Sequence, residues 1–326
     1  MDKAAVAKAD GVFSTGLFTV KTAQQWCEEA ALRPMPRPLW WSLWYEGEVC
    51  CLFADTNMGK SIYAVQIGDY VALHSGMKVA YFDFELSDKQ FQLRYTDPQT
   101  GEMYRFADGF YRVEMSAESS FVDSVPLVMS HIERCVDAIG AKVVIIDNIS
   151  WVCNRSESGD AAGELMQELI SLKKRRVLSV LVLAHTPKRS ECSQLTQNSL
   201  AGSKRLANFM DSMIAIGRIQ GEPQGRYIKQ IKVRSSELEY GEDSVITSAI
   251  ERSGAALSFN HLSFARELDL ITPKSVGGDD EALSRQVAEL MAKGLSQSQI
   301  AEQLRVGKLK VNKICRMLKS DAAAGE

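Results

Sequence analysis

Hydrophobic and polar positions fall in blocks along this chain. A helical pattern over TAQQWCEEAAL (Thr22 to Leu32) comes first, and PMPRPLWWSLW follows, whose prolines rule out a continuous helix. From Val49 short apolar runs take turns with helix-period segments. These are VCCLF, a helix from Lys60, KVAYFDF, a helix near Phe121 to Ile139, KVVIID, a helix near Ala161 to Lys174, and VLSVLVLAH ending at His185. Apolar strands separated by helices predict a parallel, doubly wound α/β sheet, since crossover helices cover both of its faces. A polar stretch, a helix around Asn198 to Phe209 and the runs SMIAIG, YIKQIKV and SVITSAI follow, expected to extend the sheet with antiparallel strands.

The segment ITPKSVGGDD (Ile271 to Asp280) joins chain breakers to acidic residues and reads as a linker. After it come a helix, a Gly-Leu-Ser break, a short helix, a turn and another helix, the order of a helix-turn-helix unit. Ser296 is placed to cap the second helix, with Ile300, Ala301 and Leu304 on its core face and Val311, Ile314 and Leu318 on that of the third. The predicted organisation is a brace over residues 1–48, an α/β domain over 49–270, a linker over 271–280 and a small all-α domain over 281–320.

Composition sharpens this picture in three places. The seven cysteines are odd in number and never spaced C-x-x-C, which suits reduced thiols. No apolar run reaches membrane-spanning length and the amino terminus lacks a secretory core, so a cytoplasmic protein without a membrane partner is expected. The net charge of -3 argues against a globally basic coat, yet the stretch from Arg305 to Lys319 holds six basic residues and no acidic one. Lys308, Lys310, Asn312, Lys313 and Arg316 there have the chemistry of a DNA-reading helix, with basic groups for phosphates and an amide for adenine. A protein-docking three-helix unit with a solvated basic face is the alternative.

The strongest chemical signal is ADTNMGKS, which follows an apolar strand and opens a helix. A phosphate-binding loop needs that setting. The candidate nucleotide-binding residues are Ala54, Asp55, Thr56, Asn57, Met58, Gly59, Lys60 and Ser61: backbone N–H groups of Asp55 to Ser61 would wrap the phosphates, Lys60 would reach the terminal ones, and the Ser61 hydroxyl would ligate magnesium. Alanine stands at position 54, where the general pattern has glycine. Asp147 ends the run KVVIID and is the candidate for the magnesium shell; strands ending in Asp are common, and it gains weight only from the upstream loop. Glu85 in VAYFDFE can polarise the attacking water, with Asp83 as a rival and a surface or capping role as the bland reading.

The segments ADTNMGKS, FDFELSDKQFQLR, VVIIDN, LVLAHTPKR, LAGSKRLANFMDSMIAIGR and IKVR, in that order, resemble the DnaB-like and RepA-like branch of RecA-type P-loop ATPases. The resemblance spans about Thr22 to Ile250. It implies ATP and Mg2+ as ligands, Glu85 as catalytic base, Asp147 for metal and His185 as sensor of the terminal phosphate. It also implies Lys232 and Arg234 as paired basic fingers completing a neighbour's site, and hence a homo-oligomer, a ring or filament with a hexamer among the arrangements allowed. A solvated strand face is the plainer reading of that pair. Lys188 and Arg189 lie where such ATPases place channel loops that meet a nucleic-acid backbone, or else in an ordinary solvated loop. The expected function is an oligomeric, ATP-hydrolysing, DNA-associated motor for plasmid or mobile-element replication. A nucleotide-switched DNA-binding regulator without unwinding activity is the alternative.

Overall fold

The computed structural model describes residues 13–14, 17–116, 124–154, 161–187, 192–200, 204–272, 277–293, 295–304, 306, 311 and 314–315. A two-residue ladder, β1 (Phe13–Ser14) with β2 (Thr19–Val20), precedes α1 (Ala23–Ala31). Thr22 caps α1 through a reciprocal box with Gln25, yet the helix buries none of its residues. The proline-broken stretch forms a small ladder of β3 (Pro38–Trp40) and β4 (Trp44–Tyr45). Leu39, Trp40, Leu43 and Trp44 are buried there, and the Trp40 Nε1–H donates to the Tyr63 hydroxyl at 2.8 Å, which ties this stretch to the first helix of the α/β domain.

That domain runs β5 (Val49–Ala54), α2 (Lys60–Ser75), β6 (Val79–Asp83), α3 (Asp88–Arg94), β7 (Phe110–Glu114), α4 (Val125–Ile139), β8 (Val143–Asp147), α5 (Ile149–Asn154), α6 (Ala161–Arg176) and β9 (Ser179–His185). It continues through α7 (Lys204–Phe209), β10 (Ser212–Arg218), β11 (Gly225–Lys232), β12 (Val245–Ser253), β13 (Ala256–Ala265) and α8 (Glu267–Ile271). The nine-stranded sheet has the order β13-β12-β11-β10-β5-β9-β8-β6-β7. It is parallel from β10 to β7, and β11, β12 and β13 add antiparallel strands at one edge. Every residue of β5, β6 and β8 is buried, because apolar cores cover both faces. One core holds α4 and α6, the other α2 and the tryptophan-rich stretch.

The chain departs from the sequence expectations at two boundaries, and the edge strands β7 and β13 and the helix α3 are elements that the sequence reading does not predict. The expected continuous helix from Asn198 to Phe209 is interrupted. Gln197–Ser199 form a single 3-10 turn closed by Thr196 and Ser199, Leu200 is extended and buried, and among the described residues α7 covers Lys204–Phe209. Burying Leu200 in the core outweighs helix continuation here. The expected linker is also partly helical, since α9 (Gly277–Ala292) starts inside it.

Beyond α9 lies α10 (Gln297–Gln303), capped by Ser296, whose hydroxyl and backbone N–H both donate to Gln299 Oε1, at 2.8 Å and 2.9 Å. Val287, Leu290, Ile300, Ala301, Val311, Ile314 and Cys315 form a separate small core. Leu318 and the basic candidates Lys308, Lys310, Asn312, Lys313 and Arg316 lie outside the described residues, as do Lys188 and Arg189.

Candidate functional site

The sheet topology assembles the site. Strand β9 lies between β5 and β8, so His185 at its end is flanked by the Ala54–Ser61 loop on one side and Asp147 on the other. Register pairs Ala54 with His185 and Asp83 with Asp147, which brings four strand ends to one edge. Ligands of open α/β sheets bind at such carboxyl edges, where loops diverge.

Between Ala54 and Lys60 the chain turns through two left-handed residues, Asn57 (φ 61°) and Gly59 (φ 91°). Gly59 is required twice over: its backbone is the kind a side chain resists, and a Cβ would stand 2.7 Å from Ile250 Cδ1. The loop, α2's first turn, Glu85, Arg94, His185, Gln224, Arg226 and Ile250 line a cleft of about 370 Å³.

Lys60 Nζ donates to the carbonyls of Ala54 (3.1 Å) and Asp55 (3.2 Å) and stands 3.2 Å from His185 Nδ1. Burial lowers its pKa, and Asp147, Glu85 and Asp55 oppose that. Carbonyl oxygens are weak partners for an ammonium, so phosphate oxygens arriving in the cleft can take them over.

Asp147 is almost fully buried; it accepts from the Tyr81 hydroxyl at 2.6 Å and from the Ser61 hydroxyl, and burial pushes its carboxyl up to about 6. A buried carboxylate beside a hydroxyl at a phosphate loop fits a hard divalent cation. Ser61 and Asp147 are the residues that would hold Mg2+. Among the described residues no three His, Cys, Asp or Glu gather to hold a metal, so phosphate oxygens and water would complete the shell. The ion supplies neutralisation of charge on the phosphates.

Glu85 and Asp83 have different situations. Asp83 is consumed structurally: it accepts from the backbone N–H groups of Glu85 (3.1 Å) and Leu86 (2.9 Å) and pairs with Arg112 Nε at 2.9 Å. Glu85 is half-exposed in the cleft, accepts from Asn148 Nδ2, and lies 3.6 Å from His185 Nε2. His185 is held toward its neutral form, chiefly by desolvation and then by Lys60.

The pair Lys232 and Arg234 is not brought to this cleft. Lys232 pairs with Met213 near the start of β10, alongside Cys51, whereas Ala54 pairs with Ile216 further on. Its ammonium donates to the carbonyls of Ala207 and Met210, both at 2.8 Å, at the end of α7. Arg234 Nη1 pairs with Asp211 at 2.8 Å and remains 57% exposed.

Residues that sequence reasoning assigned no role also meet the cleft. Arg226 is buried and donates from Nε to the Met58 carbonyl at 3.2 Å, holding the phosphate loop from behind. It comes from the antiparallel β11, so no local motif marks it. Arg94, which lines the cleft, and Asn148, which donates to Glu85, lie inside the quoted motifs FDFELSDKQFQLR and VVIIDN, where only their neighbours had been given chemistry.

A family model described as an AAA domain, AAA_25, matches residues 19–191. No curated protein matches the chain. Among solved structures, a KaiC-like protein of the hyperthermophilic archaeon Pyrococcus horikoshii OT3 is similar at 16% identity and a TM-score of 0.47, over 67% of this chain and 91% of that one.

Proposed function

We propose that this chain, which belongs to the AAA_25 family, is a P-loop ATPase with a RecA-like α/β core that works as an oligomeric, DNA-associated motor of the RepA and DnaB type. One observation carries the hydrolytic part. Lys60, Ser61, Glu85 and His185 line one cleft, with Asp147 bonded to Ser61 behind it, and these residues come from four different strand ends. In this reading Lys60 moves from the carbonyls of Ala54 and Asp55 to the terminal phosphates of ATP. Glu85 takes a proton from the attacking water as its oxygen bonds to the terminal phosphorus; the bond to ADP breaks and its electron pair leaves with ADP. Ser61 and Asp147 hold Mg2+, and His185, between Lys60 and Glu85, meets the terminal phosphate. The position of Lys232 and Arg234 far along the sheet from their own cleft supports service to a neighbouring copy.

A regulator that uses ATP to control its assembly on DNA is favoured by one feature of the sequence, the run of six basic residues from Arg305 to Lys319. Steady-state ATP hydrolysis without DNA, with single strands and with duplex, beside a Lys60→Ala control, separates the readings. Strong stimulation by single strands is the motor's expected result. Stimulation by duplex alone favours the regulator, and turnover retained by Lys60→Ala removes the site assignment.

A further inference from the structure

Asn148 is buried, and its side chain is oriented without ambiguity. The Trp151 backbone N–H, in the first turn of α5, lies 3.1 Å from Asn148 Oδ1, and only the amide oxygen can accept it. The Nδ2 group is thereby turned the other way, where it donates to Glu85 Oε1 and lies 3.2 Å from His185 Nε2. Lys60 faces the opposite ring nitrogen, Nδ1, at 3.2 Å and can only donate to it. Asn148 Nδ2 occupies Glu85 Oε1, which leaves Oε2 to receive a proton. The helix that orients Asn148 is itself fixed to the segment carrying Glu85, since Phe84 and Trp151 stack at 4.5 Å with ring planes 4° apart.

Resting on the hydrolytic reading above, we infer that Asn148 is a positioning residue that holds the Glu85 carboxylate in a fixed rotamer through its amide N–H. A flexible glutamate on a half-open cleft otherwise samples several rotamers, and misplacing a reacting group by about 1 Å can cost on the order of 100-fold in rate.

Asn148→Ser separates this role from helix capping, because a serine oxygen can still accept from Trp151 N–H but is too short to reach Glu85. The expected result is a 10- to 100-fold fall in kcat, roughly the cost of a misplaced base, with KM for ATP, binding of a fluorescent ATP analogue and Tm at wild-type values. In a Glu85→Gln background, Asn148→Ser should cause no further loss, since the two residues act as one unit. Wild-type turnover in Asn148→Ser overturns the inference, as does a loss of turnover that follows lost nucleotide binding or a lowered Tm. A full multiplicative loss on top of Glu85→Gln also overturns it. Absence of hydrolysis by the wild-type protein removes the hydrolytic reading instead, a separate outcome.

Discussion

The two ends of the central sheet hold basic residues in contrasting ways. At the carboxyl edge of β5, Lys60 is buried, its charge offset by Asp147, Glu85 and Asp55, and its bonds run to carbonyls and a histidine. At the far end of β11, Lys232 satisfies the last carbonyls of α7, which a helix terminus leaves open, and Arg234 sits exposed on Asp211. The first end gathers the candidate phosphate-binding groups within one chain. The second offers a guanidinium that is tethered yet accessible, a group that can be passed to another copy at the cost of one partly exposed ion pair. Lys232 is bound to backbone and partly desolvated, so of the two it is the less free to move. The contrast narrows the pair implied by the family resemblance to Arg234 as the residue to test.

Removing the guanidinium tests the contrast most strongly. Arg234→Ala should lower ATP turnover by about 10⁴-fold if it completes a neighbour's site. Mixing it with Lys60→Ala protein should restore part of the activity, because mixed assemblies contain some intact composite sites. No recovery, under conditions where mixed oligomers are seen by native mass spectrometry, would confine Arg234 to its pair with Asp211. Next in size, Glu85→Gln should cut turnover roughly a thousandfold while ATP stays bound, the loss expected for a general base. Asp83→Asn should instead lower Tm, because Asp83 holds Arg112 and two backbone N–H groups. If Asp83→Asn removes turnover at unchanged Tm and Glu85→Gln does not, the two assignments are reversed.

The smallest effect concerns the support of the phosphate-loop end. His261 of β13 packs against Trp41 and lies 3.4 Å from the Tyr63 hydroxyl of α2, and desolvation lowers its pKa from 6.5 to about 4. Its folded pKa is depressed, so the stability it contributes is present above pH 6.5 and is lost as the pH falls toward about 4. Screening at this partly exposed position limits the loss to about 1–2 kcal/mol. Thermal unfolding between pH 7 and pH 4 should therefore be flatter for His261→Phe than for the wild type, and parallel curves would refute a role for this ring.

Much of the α/β domain was legible because its signals are local. Apolar runs such as VCCLF and KVVIID can only be buried strands, and the Gly59-Lys60-Ser61 sequence at a strand-to-helix turn has one efficient use for its backbone. The interrupted helix before Phe209 was not legible. Helix propensity is a weak preference, and the burial of Leu200 that overrides it depends on partners distant in sequence. The choice between Asp83 and Glu85 was open for the same reason, since what occupies Asp83 is Arg112 on the neighbouring strand β7.

The sequence by itself determined the alternation of the central strands and helices, the candidate phosphate loop and the carboxylates available to it, but not the edge strands β7 and β13, since period, turn chemistry and residue type are properties of short segments. The tertiary structure alone decided that β9 lies between β5 and β8, that Arg226 braces the loop from an antiparallel strand, that Asn148 reaches Glu85, and that Lys232 and Arg234 stand away from their own cleft. Those facts depend on strand order and register, which sum the burial of many side chains over the whole sheet and are encoded in no single motif.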